Sequence, residues 1–153
     1  MTPEQSAFST PKGIAVGDAL PPLDLPLSAT RIVAGAIASR DFMPVHHDRD
    51  YAQGQGAPDI FMNILTSNGC VSRFVTDWAG PEAALRSIKI RLGAPAVPGQ
   101  MLRFTGEVTR TSRDGDESVV EVSVRAANEL GDHVTGSVIL SFPVAEFRAE
   151  DAG

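Results

Sequence analysis

The chain has 153 residues, which is enough for one domain with a buried core and leaves no room for a second catalytic domain. Its formal net charge of -6 argues against a surface for nucleic acids or anionic membranes. The single cysteine, Cys70, excludes an internal disulfide and a site built from several cysteines. No segment has the pattern of a signal peptide or a membrane span, so a cytoplasmic protein is expected.

The first predicted elements are a tail, a strand and a short helix. Residues 1–16 lack periodicity and are predicted to be a flexible tail, followed by a folded domain over 17–147 and a second flexible tail over 148–153. Several prolines precede a strand that is predicted around 25–32. The small apolar residues over 33–39 then predict a short helix that leads to Asp41.

A long helix is predicted between Asp59, which can cap it, and Gly80, which with Pro81 can end it. Its predicted buried stripe repeats at intervals of three and four, and consists of Phe61, Ile64, Asn68, Val71, Val75 and Trp78. A helix of about 20 residues spans roughly 30 Å, which suits it to lie across a sheet. Cys70 lies inside this helix and is predicted to be a small buried residue.

Alternating apolar and polar residues predict strands in the rest of the chain, over 87–92, 102–109, 120–126 and 134–142. Asp114-Gly115 and the segment 128–132 supply hairpin turns, and His133 is assigned to the second turn, with no partner near it in sequence. Because period two continues through successive segments, the sheet is predicted to be antiparallel with one face covered. The fold class is therefore α+β.

The segment 39–52 contains the strongest chemical signal, an aspartate and a histidine around a proline. Asp41 and His46 have reference pKa values of roughly 3.9 and 6.5, so the two side chains can exchange protons with a water near neutral pH. Pro44 stiffens the loop between them. The alternative is a surface turn in which Asp41 caps a local backbone group. His47 and Asp48 are expected to be solvated loop residues.

This segment resembles the hydratase motif of the MaoC-like enoyl-CoA hydratases. The matching residues are Asp41, Phe42, Pro44, Val45, His46 and Ala52, whereas Met43 stands where that family usually has asparagine. The runs 59–66 and 75–80 are similar to the small MaoC-like subunit of the heteromeric steroid enoyl-CoA hydratase of actinobacterial cholesterol side-chain degradation. The resemblance covers residues from about 17 to 144.

The resemblance implies a single hot-dog fold, in which an antiparallel sheet wraps around one long central helix. It also implies that Asp41 and His46 activate a water that adds to a trans-2-enoyl-CoA to give a 3-hydroxyacyl-CoA. A backbone amide at the start of the long helix, among Met62, Asn63 and Ile64, would bind the thioester oxygen. No cofactor is expected, because coenzyme A is part of the substrate.

The expected partner is a second MaoC-like chain in a hetero-oligomer, or otherwise a second copy of this chain. No metal is predicted, since the adjacent residues His46 and His47 point apart and no third ligand accompanies them. Bound coenzyme A would need local positive charge, for which Arg86, Lys89, Arg91, Arg103 and Arg110 are candidates, although a solvated strand face also explains them.

Two other functions are compatible with the sequence. The chain could be a structural subunit whose catalysis lies in a paralogous chain, but such a subunit has no need of an intact Asp41 and His46 pair. It could also be a hot-dog thioesterase, which usually relies on a carboxylate on or near the long helix. Here the interior of that helix has no carboxylate before Asp77.

Overall fold

A computed structural model describes residues 13–143, which form five strands and three α-helices. The elements are β1 (Leu23–Pro26), α1 (Ala29–Ala38), a 3₁₀ turn (Pro44–His46), α2 (Arg49–Gly54), α3 (Ile64–Ala79), β2 (Ala84–Leu92), β3 (Met101–Asp114), β4 (Glu117–Asn128) and β5 (Gly131–Pro143). The predicted tail over 148–153 lies outside the described residues, as does most of the tail over 1–16. Within 13–16, Ile14 packs against the core.

The strands form one antiparallel sheet in the order β1-β3-β4-β5-β2. The four strands predicted from period two are confirmed. In β4 the predicted inward positions are all buried, namely Val120, Val122, Val124 and Ala126. Register shifts interrupt three of the strand pairs, as β-bulges do in curved sheets.

The helix α3 packs its apolar side against one face of this sheet. The rings of Phe74 in α3 and Phe104 in β3 lie 5.9 Å apart, at the centre of the core. The buried residues of α3 are Ser67, Val71, Phe74, Val75 and Ala79. One long helix held against an antiparallel sheet is the predicted α+β hot-dog arrangement.

The predicted strand over 25–32 is wrong beyond Pro26, because the chain turns into α1 there. The Ser28 hydroxyl accepts a hydrogen bond from the Arg31 amide at 3.1 Å and so caps a helix that begins at Ala29. Ile32 and Ala36 on this helix are buried. Ile32 therefore packs on the buried face of a helix, one turn before Ala36.

The predicted start of the long helix at Asp59 is also wrong, because Asn63 caps α3. The Asp59 carboxylate instead accepts the Ile60 amide at 2.7 Å and the Arg49 guanidinium at 3.0 Å. The buried stripe of α3 therefore differs from the predicted one: Ile64 and Asn68, which were predicted to be buried, are exposed.

The region after His46 was expected to be a loop and contains α2. His47 and Asp48 are exposed, as expected, but Asp48 caps α2 by accepting the Tyr51 amide at 3.0 Å. Within residues 13–143 no helix is both long enough and apolar enough to cross a membrane.

Replacing either of two helical glycines with alanine should change the stability of the protein, in opposite directions. A Cβ added at Gly35 in α1 would lie 2.9 Å from Thr66 Cγ2 and 3.2 Å from Thr66 Cβ, whereas a Cβ added at Gly69 in α3 would meet nothing within 4 Å. Inside a helix, alanine stabilises the folded state by about 1 kcal/mol relative to glycine. We expect Gly69→Ala to raise the free energy of unfolding by about that amount and Gly35→Ala to lower it, since the branched Thr66 cannot move aside. Urea denaturation measures both, and a Gly35→Ala variant as stable as Gly69→Ala would contradict the close packing of α1 on α3.

Candidate active site

The backbone at the end of α1 fixes the position of Asp41. The Asp41 amide donates to the Ala36 carbonyl at 2.9 Å, and the Arg40 amide donates to the Ile37 carbonyl at 3.0 Å. This is the Schellman pattern of hydrogen bonds at a helix C-terminus, and it places Arg40 in the left-handed region with φ of 58°. Asp41 is thus held by α1 and is not at the tip of a free loop.

His46 ends the 3₁₀ turn and is held by Phe61. The His46 Nδ1 atom lies 2.6 Å from the Phe61 carbonyl oxygen, and the two rings meet edge to face at 5.1 Å. A carbonyl oxygen only accepts, so Nδ1 carries a proton and Nε2 is the nitrogen that faces Asp41. The Nε2 atom lies 3.2 Å from Asp41 Oδ2.

The two members of this pair differ in exposure. The His46 side chain is 9% exposed and the Asp41 side chain is 27% exposed. The histidine is therefore a fixed, buried partner, and the carboxylate is the side of the pair that solvent or a ligand can reach. The structure brings together the two residues that the sequence spacing selected.

Asn63 is the third side chain of the site. Its Nδ2 donates to Ser39 Oγ at 2.8 Å and to Asp41 Oδ2 at 3.1 Å, while its Oδ1 accepts the Thr66 amide at 3.1 Å. The hydrogen bond from Asn63 is the main cause that lowers the pKa of Asp41 below its usual value. Burial opposes this shift, whereas the Met43 amide and the charge of His46 add to it.

The three residues expected at the start of the long helix have different environments. The Met62 amide donates to the Ala96 carbonyl at 2.9 Å, and its side chain is buried. Asn63 is the N-cap, and Ile64 is the first helical residue. Within residues 13–143 the Ile64 amide donates no hydrogen bond, as is usual in the first turn of a helix.

His133 differs from its expected environment. It lies in β5, not in the preceding turn, and it is 3% exposed. Its Nε2 lies 2.7 Å from Ser67 Oγ on α3, and its Nδ1 lies 2.8 Å from the Ala94 carbonyl oxygen. Ser67 is 66 residues away, so no local pattern could have revealed this contact. Burial lowers the pKa of His133 below its ordinary value, and the bond to Ala94 acts in the opposite direction.

Other candidate groups lie away from the pair. Asp77 is near the opposite end of α3, where it is exposed and lies 3.4 Å from Arg73. Cys70 lies in the middle of α3, and burial raises the pKa of its thiol. Of the cations considered for coenzyme A, Arg86 pairs with Glu117 at 2.7 Å and Arg103 with Asp24 at 2.9 Å. In the described part of the chain, no group of three or more His, Cys, Asp or Glu residues is placed to hold a metal ion.

His133 predicts a pH dependence of stability. Because its pKa is lower in the folded protein than the ordinary value of 6.5, the stability it contributes is complete above about pH 6.5 and is lost as the pH falls toward the folded-state pKa. We expect His133→Asn to cost about 1–2 kcal/mol at pH 7.5, since Ser67 loses a buried partner.

The difference in unfolding free energy between the wild type and His133→Asn is expected to shrink as the pH falls from 7.5 to 5.5. Only the wild type carries His133, so only the wild type loses the stability that depends on this histidine being neutral. Urea denaturation of both proteins at several pH values measures the difference, in which the contributions of all other titrating groups cancel. A deficit that stays constant with pH would show that His133 is not held neutral by its burial.

Comparisons with known proteins show which sequences and structures the chain resembles. The family model described as the MaoC-like domain matches residues 15–130. The chain is 51% identical over 126 residues to the 3-oxo-4,17-pregnadiene-20-carboxyl-CoA hydratase beta subunit of Mycobacterium tuberculosis, covering 82% of this chain and 95% of the relative.

Solved structures show the same likeness. A chain of the ChsH1-ChsH2 complex from M. tuberculosis matches with a TM-score of 0.79 and 52% identity, over 84% of this chain and 98% of that chain. The (R)-hydratase from A. caviae involved in PHA biosynthesis matches with a TM-score of 0.74 over 87% of this chain and 100% of that chain. Its identity is 19%, so it shows the shared fold alone.

Proposed function

This chain belongs to the MaoC-like domain family, and we propose that it is the catalytic subunit of a two-chain enoyl-CoA hydratase that acts on a steroid side-chain thioester. The observation that carries the proposal is the distance of 3.2 Å between Asp41 Oδ2 and His46 Nε2, at the start of α3. A purely structural subunit would have no need to keep this pair or the hydrogen bonds that position it.

The pair can activate a water by acid-base chemistry. A water bound to Asp41 Oδ2 and His46 Nε2 gives one proton to the pair while its oxygen attacks C3 of the enoyl group. The pair then delivers one proton to C2, so water has added across the double bond and the pair regains its first protonation state. Phe61 keeps the proton on His46 Nδ1, and this leaves Nε2 free for the exchange.

Negative charge develops on the thioester oxygen when the water attacks. The first amides of α3 suit this charge, because they lack partners within the helix and carry its positive end. Of the three candidate residues, Met62 has its amide bound to Ala96. The backbone amides of Asn63 and Ile64 remain as the donors that we propose, and the side chain of Asn63 has a separate task.

The surroundings of the pair support a second chain. Five large apolar side chains on the end of α1, the following loop and the start of α3 are about half exposed or more: Ile37, Phe42, Met43, Ile64 and Leu65. The relative in M. tuberculosis is named as a beta subunit, and the matching structure is of a complex. We propose that a second MaoC-like chain covers this surface and completes the site.

The substrate class follows from the relative and agrees with the small residues at the end of α2 and just after it. That relative acts on a steroid side-chain CoA thioester, according to its name. In this chain, a Cβ added at Gly54 or Gly56 would meet nothing within 4 Å. A segment with so little side-chain volume can stand back from a bulky acyl group.

Replacement of either member of the pair tests the catalytic assignment. We expect Asp41→Asn and His46→Gln each to lower the hydration rate at least about 10²-fold, the low end for losing a general acid or base. The double variant should be little worse than the worse single variant, because either change disables the same water. The assay follows the loss of enoyl absorbance with the chain co-expressed with its partner.

His47→Gln is the matched control, since this neighbouring histidine is exposed and has no part in the mechanism. It should keep close to the wild-type rate. If folded Asp41→Asn and His46→Gln complexes also keep more than half of that rate, the catalytic pair must lie elsewhere.

A comparison of two substrates tests the acyl group. We expect a higher kcat/KM for a ring-bearing enoyl-CoA than for crotonyl-CoA, because rings that bury several hundred Å² contribute several kcal/mol at about 25 cal/mol per Å². Gly54→Phe should lower kcat/KM for the ring-bearing thioester more than for crotonyl-CoA. Equal or better kcat/KM of the wild type for crotonyl-CoA would remove the steroid proposal and leave a general hydratase.

A further inference from the structure

We propose that Asn63 is a positioning residue that fixes the Asp41 carboxylate relative to the first amides of α3. The catalytic consequence of this inference depends on the function proposed above, whereas the contact itself can be tested without any substrate. Asn63 is 1% exposed and touches both halves of the site, so a single side chain sets their separation.

The orientation of the Asn63 amide is fixed by its partners. The Thr66 backbone N–H can only donate, so the group it meets at 3.1 Å must be the carbonyl oxygen Oδ1. The Ser39 hydroxyl donates its one proton to the Gly35 carbonyl at 2.7 Å and is therefore left to accept from Asn63. The Nδ2 atom must then point toward Ser39 and Asp41.

The planar amide consequently joins two parts of the proposed chemistry. Its oxygen caps α3 next to the free Ile64 amide, and its nitrogen holds the carboxylate oxygen that faces His46. Movement of the carboxylate away from the helix start would break the bond to Asn63. Movement of Asn63 would uncap α3, so the site resists both changes.

Asn63 also supplies a hydrogen bond that Met43 does not. The Met43 side chain is exposed, and the residue reaches Asp41 only through its backbone amide, 3.3 Å from Oδ1. In the described part of the chain, His46 is the titratable group that faces Asp41. The amide of Asn63 favours the ionised carboxylate, in accord with the lowered pKa of Asp41.

Two substitutions separate positioning from capping. Asn63→Ser and Asn63→Asp both retain an oxygen that can cap α3, and both lose the amide donor to Asp41. We expect kcat to fall at least about 10-fold in each, in line with the loss of a hydrogen bond to a charged group, with KM little changed.

The pH profile should change as well. The acid limb of kcat/KM should move to higher pH in Asn63→Ser, because the carboxylate loses a donor that favours its charge. It should move further in Asn63→Asp, which places a like charge beside Asp41. Ser28→Asp is the matched control, since it adds a carboxylate at the exposed N-cap of α1 and should leave kcat and the acid limb unchanged. An unchanged acid limb in both Asn63 variants would overturn the proposal, because a capping role alone cannot move it.

An NMR titration of the Asp41 carboxyl carbon in the complex distinguishes failure of this proposal from failure of the proposed function. If the pKa of Asp41 rises in Asn63→Ser, the contact is confirmed whether or not the wild type hydrates an enoyl-CoA. If the wild type is an active hydratase but the pKa of Asp41 is the same in both proteins, the positioning role of Asn63 is wrong and the hydratase assignment stands.

Discussion

The site depends on the anchoring of the extended segment 60–63, which lies between the Asp41–His46 turn and the sheet. On one side, the Phe61 carbonyl accepts from His46 and the Phe61 amide donates to Val45. On the other, the Met62 amide donates to Ala96 in the loop before β3. The segment contributes backbone groups to all three bonds, and only one partner, His46, is a side chain. The position of the segment between the turn and α3 therefore follows mainly from the path of the backbone.

Polar groups are buried next to this segment without being left unpaired. Within residues 13–143, no buried side-chain nitrogen or oxygen lacks a hydrogen-bond partner. His133 connects β5 to Ser67, one turn after the cap of α3, and also binds the loop at Ala94. An unpaired polar group here would cost about 1–3 kcal/mol, so the network favours one placement of the helix start.

The predictable features were those with a local cause. The alternation of apolar and polar residues predicted the four long strands. The motif around Pro44 predicted that Asp41 and His46 lie close together, since a single turn separates them. The helix start was missed because both Asp59 and Asn63 can cap a helix, and the tertiary bond from Met62 to Ala96 keeps the intervening residues extended. The contacts of Asn63 with Asp41 and of His133 with Ser67 were not predicted, because these partners lie 22 and 66 residues apart in the sequence.

Met43 shows how a departure from the motif is compatible with the proposed chemistry. A carboxylate that acts on water needs donors that hold it in place, and these donors can come from any element that reaches it. At position 43 the backbone amide still donates to Asp41, and the side chain is free to be apolar and exposed. The side-chain donor is Asn63, so the residue that caps α3 also orients the carboxylate. An apolar residue at position 43 then extends the surface that we assign to the partner chain. The proposed chemistry and the proposed assembly therefore share this turn without competing for the same atoms.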